Sequence, residues 1–424
     1  MVIGLGASNC DWTQFRFASY HGGYNPGETT ISVANVSTLV PRFSAAAGSN
    51  VDSSPAIANG VVYVGSDDHN LYAFDAAGST NCSGTPTTCA PLWSASSGSF
   101  EFSSPVVANN VAYVGSNDGK LYAFDATGST NCSGTPKICA PLWTAAAGGD
   151  SSPAVANGML YVGSGDNLDA FDAGGNTNCS GTPKVCTPLW TAATGGAVTS
   201  SPAVSNGVVY VGSWNHILYA FDATGAANCS GTPKICTPLW TAPTGGVVFS
   251  SPAVSNSVVY VGSWDDNLYA FDAAGKTNCS GAPKVCTPLW RDHTGGSVSS
   301  SPAVANGVVY VGSDDHNLYA FGAAGGANCS GAPTTCTPLW TAATGGVVQS
   351  SPAVDNGVVY IGSNDHNLYA FDATGTASCS GSPKVCAPLW TATTGARLLG
   401  SPAVSNGLVY VGSSDYDLYA FGLP

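Results

Sequence analysis

The chain repeats one unit of about fifty residues eight times, and this repeat limits its fold more than any other feature. Each unit begins with a Ser-Pro dipeptide, whose prolines are Pro55, Pro105, Pro153, Pro202, Pro252, Pro302, Pro352 and Pro402. Successive prolines are separated by 50, 48, 49, 50, 50, 50 and 50 residues. Repeats of this length usually form arrays in which each unit packs against its neighbours. We therefore expect residues 1–424 to form a single domain.

Each unit contains four short apolar stretches separated by Gly, Asn, Asp and Pro, a pattern that indicates strands and tight turns. We name them strand A (SPAV), strand B (VVYVGS), strand C (LYAFDA) and strand D (PLWTA), as in residues 300–346. Strand B is apolar throughout, which is typical of a sheet covered on both faces. Only 8% of the residues are charged and 44% are hydrophobic. The sequence therefore predicts an all-β protein made of four-stranded antiparallel blades.

The two ends of the chain predict how the array closes. The last unit stops after its strand C, which ends at Phe421, and it has no strand D. Near the start, residues 40–46 (VPRFSAA) align with PLWTAA and place Phe43 at the Trp position. We expect residues 36–46 to form a closing strand that completes the last blade, after an N-terminal segment of residues 1–35. This arrangement predicts a closed eight-bladed β-propeller without free sheet edges.

Fourteen of the 15 cysteines form C-x6-C pairs between strands C and D. A Gly-x-Pro turn between each pair would bring the two sulfurs together, whereas zinc sites use shorter spacers and four ligands. We therefore expect seven local disulfides and no metal. The predicted bridges are Cys82–Cys89, Cys132–Cys139, Cys179–Cys186, Cys229–Cys236, Cys279–Cys286, Cys329–Cys336 and Cys379–Cys386. Cys10 is left over, as a free thiol or as the source of an intermolecular bridge and self-association.

Charge and cysteine content restrict the partners and the compartment. The net charge is −14 with only 11 Lys plus Arg, which disfavours nucleic acid and anionic membrane surfaces as partners. No apolar run is long enough for a membrane span. The paired cysteines indicate an oxidising location, so the protein is expected to be secreted, periplasmic or at the cell surface. Residues 1–7 are too short and uncharged for a signal peptide. We therefore expect this chain to be the mature form of an exported protein, from which the signal peptide has been removed.

The unit resembles the repeat of pyrroloquinoline-quinone (PQQ) propellers. The matching segments are Ser-Pro-Ala-Val, Val-Tyr-Val-Gly-Ser, Leu-Tyr-Ala-Phe-Asp-Ala and the strand D Trp. Residues 11–15 (DWTQF), 24–26 (YNP) and 35–39 (NVSTL) resemble the N-terminal region of quinoprotein dehydrogenases, and the Cys loop resembles polyvinyl-alcohol-dehydrogenase-like bacterial proteins. The resemblance implies the propeller fold and, for the enzymes of the family, PQQ with calcium. Sister proteins with this repeat include non-catalytic assembly scaffolds, so fold alone does not imply activity.

Three departures from the family enzymes weigh against catalysis. The sequence has no adjacent Cys-Cys pair and no C-x-x-C-H haem attachment sequence. The funnel face, which carries the B–C and D–A loops, has few cations to bind the three carboxylates of PQQ. The only candidates there are Lys120, Arg397 and at most Arg291. We therefore expect a secreted, non-catalytic binding or scaffold propeller with no cofactor. The alternatives are a PQQ-dependent alcohol dehydrogenase of the polyvinyl-alcohol type and a structural subunit of an extracellular assembly.

Breaks in the repeat mark candidate ligand-binding residues on the funnel face. Trp214 and Trp264 replace polar residues in the B–C loops of blades 4 and 5, where they are a ligand-stacking surface or rim residues without a role. The predicted ligand-binding site comprises Asp52, Glu101, Lys120, Trp214, Trp264 and Arg397, with no catalytic residue. Aspartates such as Asp67 and Asp68 are turn residues or, less simply, calcium ligands. The expected partner is a small molecule, a glycan or a protein, uncharged or cationic.

Overall fold

The computed structural model describes residues 10–99, 102–325, 328–331 and 334–424. The chain is an all-β propeller of eight blades, as the repeat predicts. The A strands of neighbouring blades contact one another, so strand A lines the central channel and strand D lies towards the rim. Within the described residues, no helix is long and apolar enough to cross a membrane.

The four strands recur with nearly constant length from blade 1 to blade 8. Strand A spans Ala56–Ala58, Val106–Ala108, Ala154–Ala156, Ala203–Ser205, Ala253–Ser255, Ala303–Ala305, Ala353–Asp355 and Ala403–Ser405. Strand B spans Val61–Ser66, Val111–Ser116, Met159–Ser164, Val208–Ser213, Val258–Gly262, Val308–Gly312, Val358–Gly362 and Leu408–Gly412. Strand C spans Asn70–Asp75, Lys120–Asp125, Asn167–Asp172, Ile217–Asp222, Asn267–Asp272, Asn317–Gly322, Asn367–Asp372 and Asp417–Gly422. Strand D spans Trp93–Ser96, Trp143–Ala145, Trp190–Ala193, Trp240–Pro243, Trp290–His293, Trp340–Ala343, Trp390–Thr393 and, for blade 8, Val40–Ala46.

The N-terminal strand closes the ring, as predicted. Val40–Ala46 pairs antiparallel with Asp417–Gly422, and Phe43 lies opposite Ala420 as each strand D Trp lies opposite an alanine of strand C. The closing strand is shorter than predicted, because residues 36–38 form a 3-10 turn instead of extended chain. In that turn the Thr38 N–H donates to the Asn35 carbonyl, and the Val36 side chain is fully buried. The boundary predicted at residue 36 is therefore corrected to residue 40.

All seven predicted disulfides are present, and each closes a small hairpin. The second strand of each hairpin pairs in parallel with strand D of the preceding blade, as Thr88–Cys89 does with Ser44–Ala45 of the closing strand. Seven blades thereby become six-stranded sheets, and blade 7 keeps four strands. The hairpin strands span Cys82–Ser83 and Thr88–Cys89, Cys132–Ser133 and Ile138–Cys139, Cys179–Ser180 and Val185–Cys186, Cys229–Ser230 and Ile235–Cys236, Cys279–Ser280 and Val285–Cys286, Cys329–Ser330 and Thr335–Cys336, and Cys379–Ser380 and Val385–Cys386.

Buried aromatic residues tie each blade to the next. The Tyr63 hydroxyl of strand B and the Trp93 Nε1–H of strand D both donate to the Ala126 carbonyl of blade 2, at 3.0 and 3.2 Å. The same pair of bonds recurs at Tyr161 and Trp190, which share the Ala223 carbonyl. The strand D tryptophans therefore pack between blades, and their indole N–H groups also bond across the interface.

The N-terminal segment runs once around the inside of the channel. In blades 1–7, the middle residue of strand A donates its N–H to an oxygen atom of this segment, and the segment meets the blades in chain order. In blade 8, Asn25 Nδ2 donates to the Val404 carbonyl. The seven donors are Ile57, Val107, Val155, Val204, Val254, Val304 and Val354. Strand A is the inner edge of its sheet, so these N–H groups would otherwise be unpaired.

Two basic side chains of this segment are buried in the protein interior. The Arg16 Nη1 donates to the Pro352 carbonyl, while Nε and Nη2 have no hydrogen-bond partner among the described residues. Burial lowers the pKa of Arg16 to about 9. Burial, and then the nearby Arg16 charge, lowers the pKa of His21 to about 3, so His21 is neutral at physiological pH. Neither side chain lines the cavity described below.

A buried carboxyl lies where the N-terminal segment meets blade 7. Asp355 ends strand A of that blade, is fully buried, and has no hydrogen-bond partner for either side-chain oxygen among the described residues. Burial and, to a smaller extent, the charge of Glu28 raise its pKa to about 8. Folding therefore favours the protonated acid at this position.

Reduction of the hairpin disulfides should lower stability without unfolding the propeller, because the bridges lie outside the four-stranded blades. Each bridge closes an eight-residue loop, worth about 2.5 kcal/mol on the chain-entropy model. The double variant Cys229→Ser/Cys236→Ser should lower the urea midpoint, and Cys10→Ser, which removes the free thiol, is the matched control. Loss of the β circular-dichroism signal on reduction alone would contradict this prediction.

Replacing Asp355 should change how stability depends on pH. The folded pKa is about 8 and the unfolded value is about 4, so ionisation costs stability as pH rises from 4 to 8. Asp355→Asn removes this titration, and its urea midpoint should exceed that of the wild type at pH 8 but not at pH 4. Asp166→Asn, at an exposed carboxylate, serves as the control. Parallel pH curves for Asp355→Asn and the wild type would refute the assignment.

Candidate functional site

A closed ring of serine hydrogen bonds surrounds the channel below its funnel-face opening. In every blade the N–H of the serine before the anchor proline donates to the Oγ of its counterpart in the next blade, at 2.9–3.0 Å. The ring closes when the Ser401 N–H donates to the Ser54 Oγ. Its members are Ser54, Ser104, Ser152, Ser201, Ser251, Ser301, Ser351 and Ser401. This ring fixes the width of the channel.

A second ring of eight side chains, one for each blade, lies at the opening and differs from blade to blade. These residues, three positions before the anchor prolines, are Asp52, Phe102, Asp150, Thr199, Phe249, Ser299, Gln349 and Leu399. We call them the mouth ring. Together with the serine ring they line a cavity of about 330 Å³, and Phe15 of the N-terminal segment forms its floor. This volume suits a small ligand.

The two predicted tryptophans lie beside the mouth ring and contact each other. The ring centroids of Trp214 and Trp264 are 5.8 Å apart, and Trp264 also stacks on Phe249 of the mouth ring at 5.9 Å. Their Nε1–H groups donate to the Thr199 and Ser299 hydroxyls, each at 2.9 Å. Trp214 and Trp264 remain 43% and 40% exposed. We call Trp214, Trp264 and Phe249 the aromatic shelf.

Asp52 and Arg397 come close through an intervening hydroxyl. The Ser414 Oγ donates to Asp52 Oδ1 at 2.6 Å and accepts a 3.4 Å bond from Arg397 Nε. Asp52 Oδ2 is buried without a partner among the described residues. Burial raises the pKa of Asp52, and the Ser414 bond and the Arg397 charge oppose that shift only in part. Arg397 is exposed and does not line the cavity.

The other predicted site residues lie elsewhere. Lys120 forms a 2.9 Å salt bridge with Asp118 on the surface and does not line the cavity. Glu101 falls outside the described residues. The B–C aspartates serve as turn residues, since Asp68 Oδ1 accepts the Asn70 N–H and Asp68 Oδ2 accepts the Tyr72 hydroxyl.

Sequence reasoning missed most of the mouth ring. Asp150, Thr199, Phe249, Ser299, Gln349 and Leu399 are dispersed over the sequence and meet only around the channel. A signal was nevertheless present, because aligning the repeats on the anchor proline shows these positions varying while the flanking Ser-Pro stays almost constant. The described lining of the cavity holds two carboxylates and no Lys, Arg or His.

The comparisons with known proteins agree with this architecture. A family model of PQQ-type repeats, described as outer membrane protein assembly factor BamB, matches residues 26–129, 187–278, 238–329, 286–380 and 333–422. The chain belongs to this family. No curated relative matches the sequence.

Solved structures similar to this propeller include proteins of different kinds. BamB from Moraxella catarrhalis shares 16% identity with a TM-score of 0.62, covering 91% of this chain and 97% of that one. Quinohemoprotein alcohol dehydrogenase from Comamonas testosteroni shares 14% identity with a TM-score of 0.69, covering 98% of this chain and 81% of that one. A europium-containing methanol dehydrogenase shares 13% identity with a TM-score of 0.65, covering 98% of each chain. At these identities the similarity establishes the fold.

Removing one hydroxyl of the serine ring should destabilise the protein, because a buried N–H loses its acceptor. In Ser201→Ala the N–H of Ser152 is left unpaired, at a cost of about 1–3 kcal/mol. Urea unfolding measures this loss, and Ser230→Ala in an exposed hairpin should change the free energy of unfolding much less. Equal stability of the two variants would contradict a structural role for the ring.

Proposed function

We propose that this protein is a non-catalytic binding propeller that takes an uncharged or cationic ligand at the channel mouth. The observation that supports the proposal is the cavity lining, which combines Asp52 and Asp150 with exposed aromatic rings and, among its described residues, contains no cationic side chain. Cavities of about this size commonly bind small molecules.

The chemistry of the mouth does not fit PQQ. A tricarboxylate needs cations or several free donors, and like charges disfavour its binding. Lys120 is paired with Asp118, and Arg397 lies outside the lining and interacts with Ser414. The buried Arg16 also lies outside the lining. We therefore assign no redox step to this site and expect no PQQ-dependent activity.

The disulfides of the hairpins support a proposal for the compartment. Seven disulfides favour an oxidising, extracytoplasmic environment. We propose that the protein is secreted, periplasmic or exposed at the cell surface. The similarity to BamB, an assembly factor by its description, extends the proposal to scaffolding, in which the mouth binds a ligand presented by a partner protein.

Titrating PQQ in the presence of calcium tests the proposal against the dehydrogenase alternative. We expect no saturable sub-micromolar binding by calorimetry and no PQQ-dependent dye reduction with alcohols. Arg397→Ala is the matched variant, because Arg397 lies two residues before Leu399 of the mouth ring and contacts Ser414, which donates to Asp52. Sub-micromolar PQQ binding that Arg397→Ala abolishes would overturn the proposal and favour a quinoprotein dehydrogenase.

A further inference from the structure

We propose that the channel mouth binds an organic ammonium ion, in which a positive nitrogen carries an apolar body. This inference rests on the proposed function and narrows its ligand from uncharged or cationic molecules to cationic ones. The observation behind it is that carboxylates and exposed aromatic rings share the wall of one small cavity.

The carboxylates supply the charge. Asp52 and Asp150 come from blades 1 and 3 and flank Phe102 of blade 2 in the mouth ring. Asp150 is exposed, and among the described residues neither carboxylate forms a salt bridge. A cation entering the cavity would meet the negative charge of Asp150, which no cationic side chain of the described lining compensates, and that of Asp52, which Arg397 outside the lining offsets in part.

The aromatic rings supply faces on which a cation can rest. Phe15 forms the floor, Phe102 stands between the two carboxylates, and Phe249 faces the cavity from blade 5. Phe249 continues into Trp264 and Trp214, whose centroids follow at steps of 5.9 and 5.8 Å. Ammonium ions are attracted to ring faces within about 6 Å, and several rings around one site form an aromatic cage.

The hydrogen bonds of the shelf favour a cation over a neutral sugar. Both indole N–H groups are already donated, to Thr199 and Ser299, so they are not available to hydroxyl groups of a ligand. These bonds hold the indoles in place while the two side chains stay 43% and 40% exposed, which lowers the ordering cost of binding. An ammonium ion needs ring faces and carboxylates, and the mouth provides both.

Choline and its neutral isostere 3,3-dimethylbutan-1-ol are suitable probes because they differ mainly in charge. Calorimetry should show choline binding at least about tenfold more tightly than the alcohol, a ratio that corresponds to about 1.4 kcal/mol. Added salt should weaken choline binding and leave the alcohol unaffected.

Two substitutions separate the contributions of charge and ring. Asp150→Asn should weaken choline binding several-fold, while Asp166→Asn, at an exposed carboxylate of blade 3 outside the lining, should change it little. Phe249→Leu keeps an apolar side chain but removes the ring, and it should weaken choline binding and spare the alcohol. Tyr20→Leu, at an exposed ring outside the lining, is the aromatic control.

The outcomes distinguish this inference from the proposed function. Equal affinity for the two probes, or no choline binding at millimolar concentration, would overturn the inference. Binding of the alcohol alone would still agree with a binding propeller for uncharged ligands. Sub-micromolar PQQ binding would overturn the proposed function itself. Unchanged choline affinity in both Asp150→Asn and Phe249→Leu would exclude the mouth as the site.

Discussion

The hydrogen bond from the Ser152 N–H to the Ser201 Oγ, repeated in every blade, is the interaction on which the rest of the structure depends. Each serine donates through its backbone to one neighbour and accepts through its side chain from the other, so the ring is complete only when all eight blades are present. The proline that follows has no N–H to leave unpaired at this inner edge. The N-terminal segment then accepts the next N–H groups along strand A. Channel width, blade number and the path of residues 12–25 are thus coupled.

Residues that form the same bond to the next blade all around the propeller repeat, whereas the residues of the mouth ring vary. The strand B tyrosine and the strand D tryptophan share one carbonyl of the next blade, so changing either leaves a buried polar group unpaired. The mouth ring differs at almost every blade, and the bonds that its members form, such as that of Asp52 with Ser414 of blade 8, are not repeated around the ring. Trp214 and Trp264, which break the repeat in the B–C loops of blades 4 and 5, donate their indole N–H groups to Thr199 and Ser299 of the mouth ring. Variation in the repeat is therefore pronounced around the channel mouth.

Much of the fold could be predicted because it follows from local patterns that repeat. Phe43 at a Trp position predicted the closing strand, and C-x6-C spacing predicted the disulfides. The parallel pairing of hairpins with the preceding blade was not predictable from spacing, since it depends on how blades pack. The N-terminal segment has no repeat of its own, which hides its path around the channel. Asp150 and Phe249 were missed because the mouth ring exists only after the propeller closes. Trp214 and Trp264 were found because each is a large change within the B–C loop of a single repeat.

Closure by an N-terminal strand has a local cost at the contact between blades 7 and 8. Blade 8 takes its strand D from Val40–Ala46, so it has no connection between its strands C and D to carry a hairpin, and blade 7 keeps four strands. Trp390 bonds to the Leu39 carbonyl instead of an alanine carbonyl, and the Tyr360 hydroxyl has no partner among the described residues. In a closed ring of eight, blades 4 and 5 lie opposite blades 8 and 1. The aromatic shelf therefore lies across the channel from the closing blade, where its residues can change without weakening ring closure.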